Sequence, residues 1–121
     1  MLAALRANAF PAPEPQRVLV IGSGGREHAI VHAFAQCPKV DRVFTSPGNF
    51  GTATASNERC TCLNVPAMAN SEVVRFVEAH GISLVVVGQA ILLAEGLADF
   101  LQAKVRFLAV CAPNMYFVRD M

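Results

Sequence analysis

Apolar residues along this chain fall into short β-branched runs that alternate with stretches of helical period. The first run is Arg17, Val18, Leu19, Val20 and Ile21. A glycine-rich turn follows, and then Ile30, Ala33, Phe34 and Cys37 recur at the three-to-four spacing of one helix face. Pro38 and Lys39 break that pattern. Residues 40–45 read as a second strand, and residues 59–65 as a third, weaker one. Asn70 or Ser71 is the expected cap of a second helix, with Glu72 in its first turn, Val73, Phe76 and Val77 as its buried stripe, and His80 and Gly81 closing it. A fourth strand is predicted over residues 84–87. A third helix is marked by Leu93, Leu97, Phe100 and Leu101, and a fifth strand runs over residues 105–110. Strands that alternate with helices in this order predict an α/β fold, a doubly wound, Rossmann-like parallel sheet of about five strands.

The turn after the first strand carries the chemistry. It reads Gly22, Ser23, Gly24, Gly25, Arg26, Glu27, His28. Glycines let a backbone approach a ligand closely. A helix that starts there adds unpaired N–H groups and the positive end of its dipole, which together favour an anion such as a phosphate. The nicotinamide fingerprint needs a third glycine where Glu27 stands. It also needs an acid about 20 residues on, where this chain has Phe44, Thr45 and Ser46. The Walker pattern fails as well, because no Gly-Lys-Ser/Thr follows. A nicotinamide-dependent reductase is therefore disfavoured.

The string from Val18 through Gly22, Ser23, Gly24, Gly25, Arg26, Glu27, His28 and Ala29 resembles the N-terminus of the phosphoribosylamine–glycine ligase family (glycinamide ribonucleotide synthetase). A second loop, Pro47, Gly48, Asn49, Phe50, Gly51, Thr52, is similar to the same family's Pro-Gly-Asn-x-Gly-Thr pattern. Both loops leave the carboxyl edge of the sheet, where neighbouring loops share one crevice. The resemblance covers residues 17 to about 101. It implies the pre-ATP-grasp N-terminal domain of an ATP-dependent carbon–nitrogen ligase of purine biosynthesis. That domain holds the phosphorylated ribose substrate beside an ATP-grasp body that binds ATP and Mg2+. The family is expected to form an acyl phosphate on glycine, which the ribosyl amine attacks. This chain carries no ATP-grasp pattern, so it is expected to bind no cofactor and to be inactive alone, with no catalytic residue of its own.

The substrate-binding residues implied are Gly24, Gly25, Arg26, Glu27, His28, Pro47, Gly48, Asn49 and Gly88. Arg26 is suited to a bidentate phosphate contact. Glu27 is equally suited to ribose hydroxyls or to the helix dipole, and Asn49 is also a common turn residue. The family reads Gly-Pro-Glu-Ala-Pro-Leu after the fourth strand, whereas this chain reads Gly88, Gln89, Ala90, Ile91, Leu92, Leu93, so Ala90 stands where the family has an acid. Agreement returns at Glu95, Gly96 and Leu97. A free-standing sugar-phosphate or nucleotide-binding regulatory module without catalysis is the alternative.

Composition narrows the partners. The chain has 121 residues, a length for one domain. Charged residues are 16% and hydrophobic ones 54%, against about 25% charged in a typical soluble domain, which suits a sheet buried on both faces. A net charge of +1 gives no electrostatic footprint for nucleic acid or a membrane surface. Residues 82–101 are the most apolar window, but Gly88, Gln89, Glu95 and Asp99 interrupt it, so no membrane span is expected. Cys37, Cys60, Cys62 and Cys111 make no disulfide framework and no paired zinc motif. They read as reduced thiols of a cytoplasmic protein. Alternation places Cys60 and Cys62 on one strand face. His28 and His32 lack a third metal ligand at useful spacing. Residues 1–16, with prolines 11, 13 and 15, are expected as a disordered leader. Residues 17–110 form the domain, and 111–121 a divergent tail.

Overall fold

The computed structural model of the chain describes residues 15–87, 106–110 and 115–119. In chain order the elements are β1 (Gln16–Gly22), α1 (Gly25–Ala35), β2 (Val40–Pro47), the one-turn helix α2 (Phe50–Ala53), β3 (Thr61–Asn64), α3 (Asn70–His80), β4 (Leu84–Val87), β5 (Arg106–Val110) and β6 (Met115–Arg119). They build one sheet in the order β3-β2-β1-β4-β5-β6. Its centre is the all-parallel block β3-β2-β1-β4. β5 continues it in parallel, and β6 adds an antiparallel edge.

Strand β1 is the axis of the sheet. It pairs with β2 from Arg17↔Arg42 to Gly22↔Pro47, and with β4 from Val18↔Leu84 to Ile21↔Val87. Because side chains alternate along a strand, β1 feeds two core layers. Val18 and Val20 join Val43, Leu84 and Val86 beneath Ile30, Val31 and Phe34 of α1. Leu19 and Ile21 join Phe44, Val85 and Val87 beneath Val73 and Val77 of α3. A strand buried on both faces needs an unbroken apolar run, and Val18, Leu19 and Val20 are fully buried. Each such side chain contributes about 1.5–3 kcal/mol relative to exposure. On the α3 side the ring of Phe76 meets Phe44 edge-on at 5.0 Å and lies 4.2 Å from His80. Among the described residues no helix is long and apolar enough to cross a membrane.

Several expectations change. The sheet gains a strand beyond the five predicted: β6 lies in the segment read as a divergent tail, where Met115, Tyr116, Phe117 and Val118 form a run suited to a strand. Helix α3 is capped by Ala69, not by Asn70 or Ser71. Alanine offers no capping oxygen, and the Glu72 carboxylate instead accepts from Ala69 N at 3.0 Å. The weak third strand is shorter than residues 59–65, and the loop after β2 contains the helical turn α2. Gly81 closes α3 in the left-handed conformation, as its position suggested. The helix marked by Leu93 and Leu97, and most of the leader, lie outside the described residues.

Candidate functional site

The two glycine-rich loops leave β1 and β2 side by side, because Gly22 stands opposite Pro47 in the parallel ladder. The ladder extends past the strand ends: Gly48 N donates to Gly22 O at 3.0 Å. Asn49 adds a second tie. Its Nδ2 donates to Ser23 O at 2.8 Å and to Gly24 O at 3.1 Å. Its Oδ1 accepts from Thr52 N at 3.0 Å, capping α2. Both amide hydrogens are therefore committed to the neighbouring loop. The side chain named as a substrate contact positions the first loop through its backbone.

Behind Asn49 stands a clamp that the sequence did not announce. Asn64, at the end of β3, donates Nδ2 to Asn49 O at 2.8 Å and accepts from Thr52 Oγ1 at 2.7 Å. Thr52 is fully buried, and its hydroxyl oxygen also accepts from Asn49 N at 2.8 Å. The parallel register sets Asn64 opposite Thr45, two positions before Pro47. Gly48 has φ of 77°, and a Cβ there would strike the Asn64 and Thr52 side chains. Glycine is thus required at that position for backbone and space alike.

The first loop is built differently. Glu27 is buried, and its carboxylate turns back over Gly22, accepting from Gly24 N at 3.4 Å. A Cβ on Gly22 would collide with it. In this geometry the Glu27 carboxylate supports the turn. The first bond within α1 runs from His28 N to Gly24 O at 3.1 Å. The N–H groups of Gly25 and Glu27 come before it and have no partner inside the helix. Gly25 faces open space, since nothing stands within 4 Å of a Cβ built there. Arg26 is exposed at the same helix mouth. The ring of His28 lies against Gly51, so it braces α1 on α2. Pro47 is exposed on the rim.

Gly88 lies outside the described residues. The strand before it ends at Val87, opposite Ile21, and so leaves the sheet at the same edge. On the α3 side of that edge is a cavity of about 120 Å³, lined by Ile21, Gly22, Ser46, Pro47, Met68 and Val73. Met68 carried no signal in the motifs, because it enters the site through the β3–α3 connection, and Val73, expected only as part of a buried stripe, reaches it from the first turn of α3. Among the described residues no three His, Cys, Asp or Glu side chains gather as a metal site. What the arrangement offers is a helix mouth with an arginine, an open glycine and an apolar pocket alongside. That set suits an anionic group on a small organic body.

Comparison with known proteins agrees with these motifs. Residues 16–117 match the family model described as "Phosphoribosylglycinamide synthetase, N domain". The chain is similar to the phosphoribosylamine–glycine ligase of Nostoc sp., at 41% identity over 88 residues, 73% of this chain and 20% of that protein. It is 48% identical over 90 residues to the trifunctional purine biosynthetic protein adenosine-3 of Gallus gallus, covering 72% of this chain and 8% of that one. The phosphoribosylamine–glycine ligase of Neisseria meningitidis serogroup B is 38% identical over 100 residues, 83% of this chain and 22% of its own. The chain thus spans a minor part of the relatives it matches. The sheet order, the two glycine-rich loops at one edge and the family match together show that the chain belongs to the phosphoribosylglycinamide synthetase N-domain family.

Proposed function

We propose that this chain is the substrate-holding N-terminal domain of a phosphoribosylamine–glycine ligase activity in purine biosynthesis, and that it binds the ribose 5-phosphate part of the substrate. The observation that carries this reading is the double tie between the loops, Gly48 N to Gly22 O and Asn49 Nδ2 to Ser23 O and Gly24 O. It holds the helix mouth and the second motif in one concavity. Phosphate oxygens would accept from N–H groups at the start of α1, with Arg26 adding a charged contact. The ribose would lie toward Pro47 and Gly48.

In the complete enzyme an ATP-grasp body, with ATP and Mg2+, would activate glycine. These 121 residues would orient the amine that attacks it. The role assigned to these residues is binding and orientation of the substrate. The test is an NMR titration of the chain with ribose 5-phosphate, following amides 22–28 and 47–52. Saturable shifts in both segments support the assignment. Shifts confined to other regions overturn it.

A further inference from the structure

Asn64 belongs to neither glycine-rich loop, yet its hydrogen bonds lead to both. It is the last residue of β3, and the sheet fixes its backbone: it stands opposite Thr45 of β2, and the next residue, Val65, donates its N–H to Thr45 O at 2.8 Å. From there its Nδ2 reaches Asn49 O at 2.8 Å.

The hydrogens available fix the orientation of the Asn64 amide. Asn49 O accepts from Ala53 N at 3.0 Å and from Asn64 Nδ2, which fills both its lone pairs. The Thr52 hydroxyl has one hydrogen and two acceptors in reach, Asn49 O at 2.9 Å and Asn64 Oδ1 at 2.7 Å. The filled carbonyl leaves Asn64 Oδ1 as its acceptor. Asn64 is thus a donor to Asn49 and an acceptor from Thr52 at once, and a carboxylate could fill only the second role. Thr52 Oγ1 in turn accepts from Asn49 N at 2.8 Å. The N–H and the C=O of Asn49 are therefore both held, directly or through Thr52, by one side chain of β3.

Asn49 passes this on to the first loop. Gly24 O accepts from Asn49 Nδ2 and from His28 N, each at 3.1 Å. Two donors on one carbonyl polarise its peptide unit, and the N–H at the other end of that unit belongs to Gly25. That N–H precedes the first bond of α1, and a Cβ on Gly25 would meet nothing within 4 Å.

We propose that Asn64 is a positioning residue for the substrate phosphate: through Asn49 it keeps an amide on Gly24 O, and so sets the direction and strength of the Gly25 N–H. It acts without touching the phosphate. This role rests on the proposed binding of ribose 5-phosphate at the start of α1.

The test compares the full chain with its Asn64→Ala, Asn64→Asp and Thr61→Val variants by NMR, first alone and then with ribose 5-phosphate. Thr61 is exposed on the same strand and controls for disturbance of β3 itself. In the ligand-free spectra both Asn64 variants should move the amides of Gly24 and Gly25, the Gly25 proton upfield as its polarisation is lost, while the core amides of Val18, Leu19 and Val20 stay in place. A role confined to the second loop would move amides 47–53 and 64 and leave Gly24 and Gly25 still. Affinity for ribose 5-phosphate should fall by about fivefold or more, the equivalent of one net hydrogen bond of about 1 kcal/mol at 1.4 kcal/mol per decade. Asn64→Asp should bind no better than Asn64→Ala, because it loses the donor to Asn49. Thr61→Val should match the parent throughout. Asn64 variants that bind like the parent, Gly24 and Gly25 amides that do not move, core amides that move with them, or a Thr61→Val that repeats the effect overturn the positioning role and leave the binding site standing. A parent without saturable shifts in 22–28 and 47–52 overturns the site itself, and this role with it.

Discussion

The side chain of Asn49 donates to the carbonyl of Gly24, 25 positions earlier, at 3.1 Å. Through that contact the second glycine-rich loop holds the mouth of α1. Asn49→Ala removes this tie, the bond to Ser23 O and the cap on Thr52 N. A loss of about 1–2 kcal/mol is expected, within the range of a lost asparagine cap. Asn49→Asp is the sharper variant. It keeps an oxygen for Thr52 N but sets a carboxylate against the carbonyls of Ser23 and Gly24. It should be no more stable than Asn49→Ala in urea denaturation. Parent-like stability of Asn49→Asp would mean that the cap alone matters.

Two glycines in the site should respond in opposite ways. Gly25→Val places its side chain in open space. The variant should unfold at the parent's urea midpoint and lose ribose 5-phosphate binding, because the new side chain fills the space assigned to the anion. Gly48→Ala meets Asn64 and Thr52 at a φ of 77°. It should be destabilised by more than the roughly 1–2 kcal/mol of the left-handed backbone alone. Paired denaturation curves and titrations separate the two effects.

Arg26→Ala should weaken ribose 5-phosphate binding by about tenfold or more, since a hydrogen bond to an ionised group contributes about 1.5–3 kcal/mol and 1.4 kcal/mol is one decade. Arg26 is exposed, so thermal stability should change little. Isothermal titration of the parent and the variant measures the ratio, and equal affinities would remove Arg26 from the site.

Phe34 tests the packing. It is fully buried in the layer beneath α1, and Phe34→Ala should cost about 3–5 kcal/mol. That is a large share of the roughly 5–15 kcal/mol of a typical domain, and urea denaturation followed by far-ultraviolet circular dichroism should show a clearly lowered midpoint.

Much of this architecture was legible because its signals are local. The run Val18 to Ile21, the glycine turn and the period of Ile30 and Phe34 each fit within a few residues, and they located β1, the turn and α1. The turn formers Ser46 and Pro47 suggested that β2 stops at residue 45, but it runs on through both, because Ile21 and Gly22 of β1 still pair with them. What stayed hidden depends on distant partners. Asn64 gave no sign of its role, because the role exists only once β3 lies in register beside β2. Glu27 left two readings open, and neither foretold its burial beneath the turn. Asn49 matched a motif, yet its side chain serves the neighbouring loop, a distinction that spacing cannot make. β6 lies in the segment read as a divergent tail, because a run as short as Met115 to Val118 becomes a strand only once it has β5 to pair with.

The bond from Gly48 N to Gly22 O has one further consequence. The segments on either side of it cannot drift independently, so an arriving molecule need not order them. Binding at this edge should therefore carry only a small conformational-entropy penalty. A titration across temperature would show it as an enthalpy of binding offset by little unfavourable entropy.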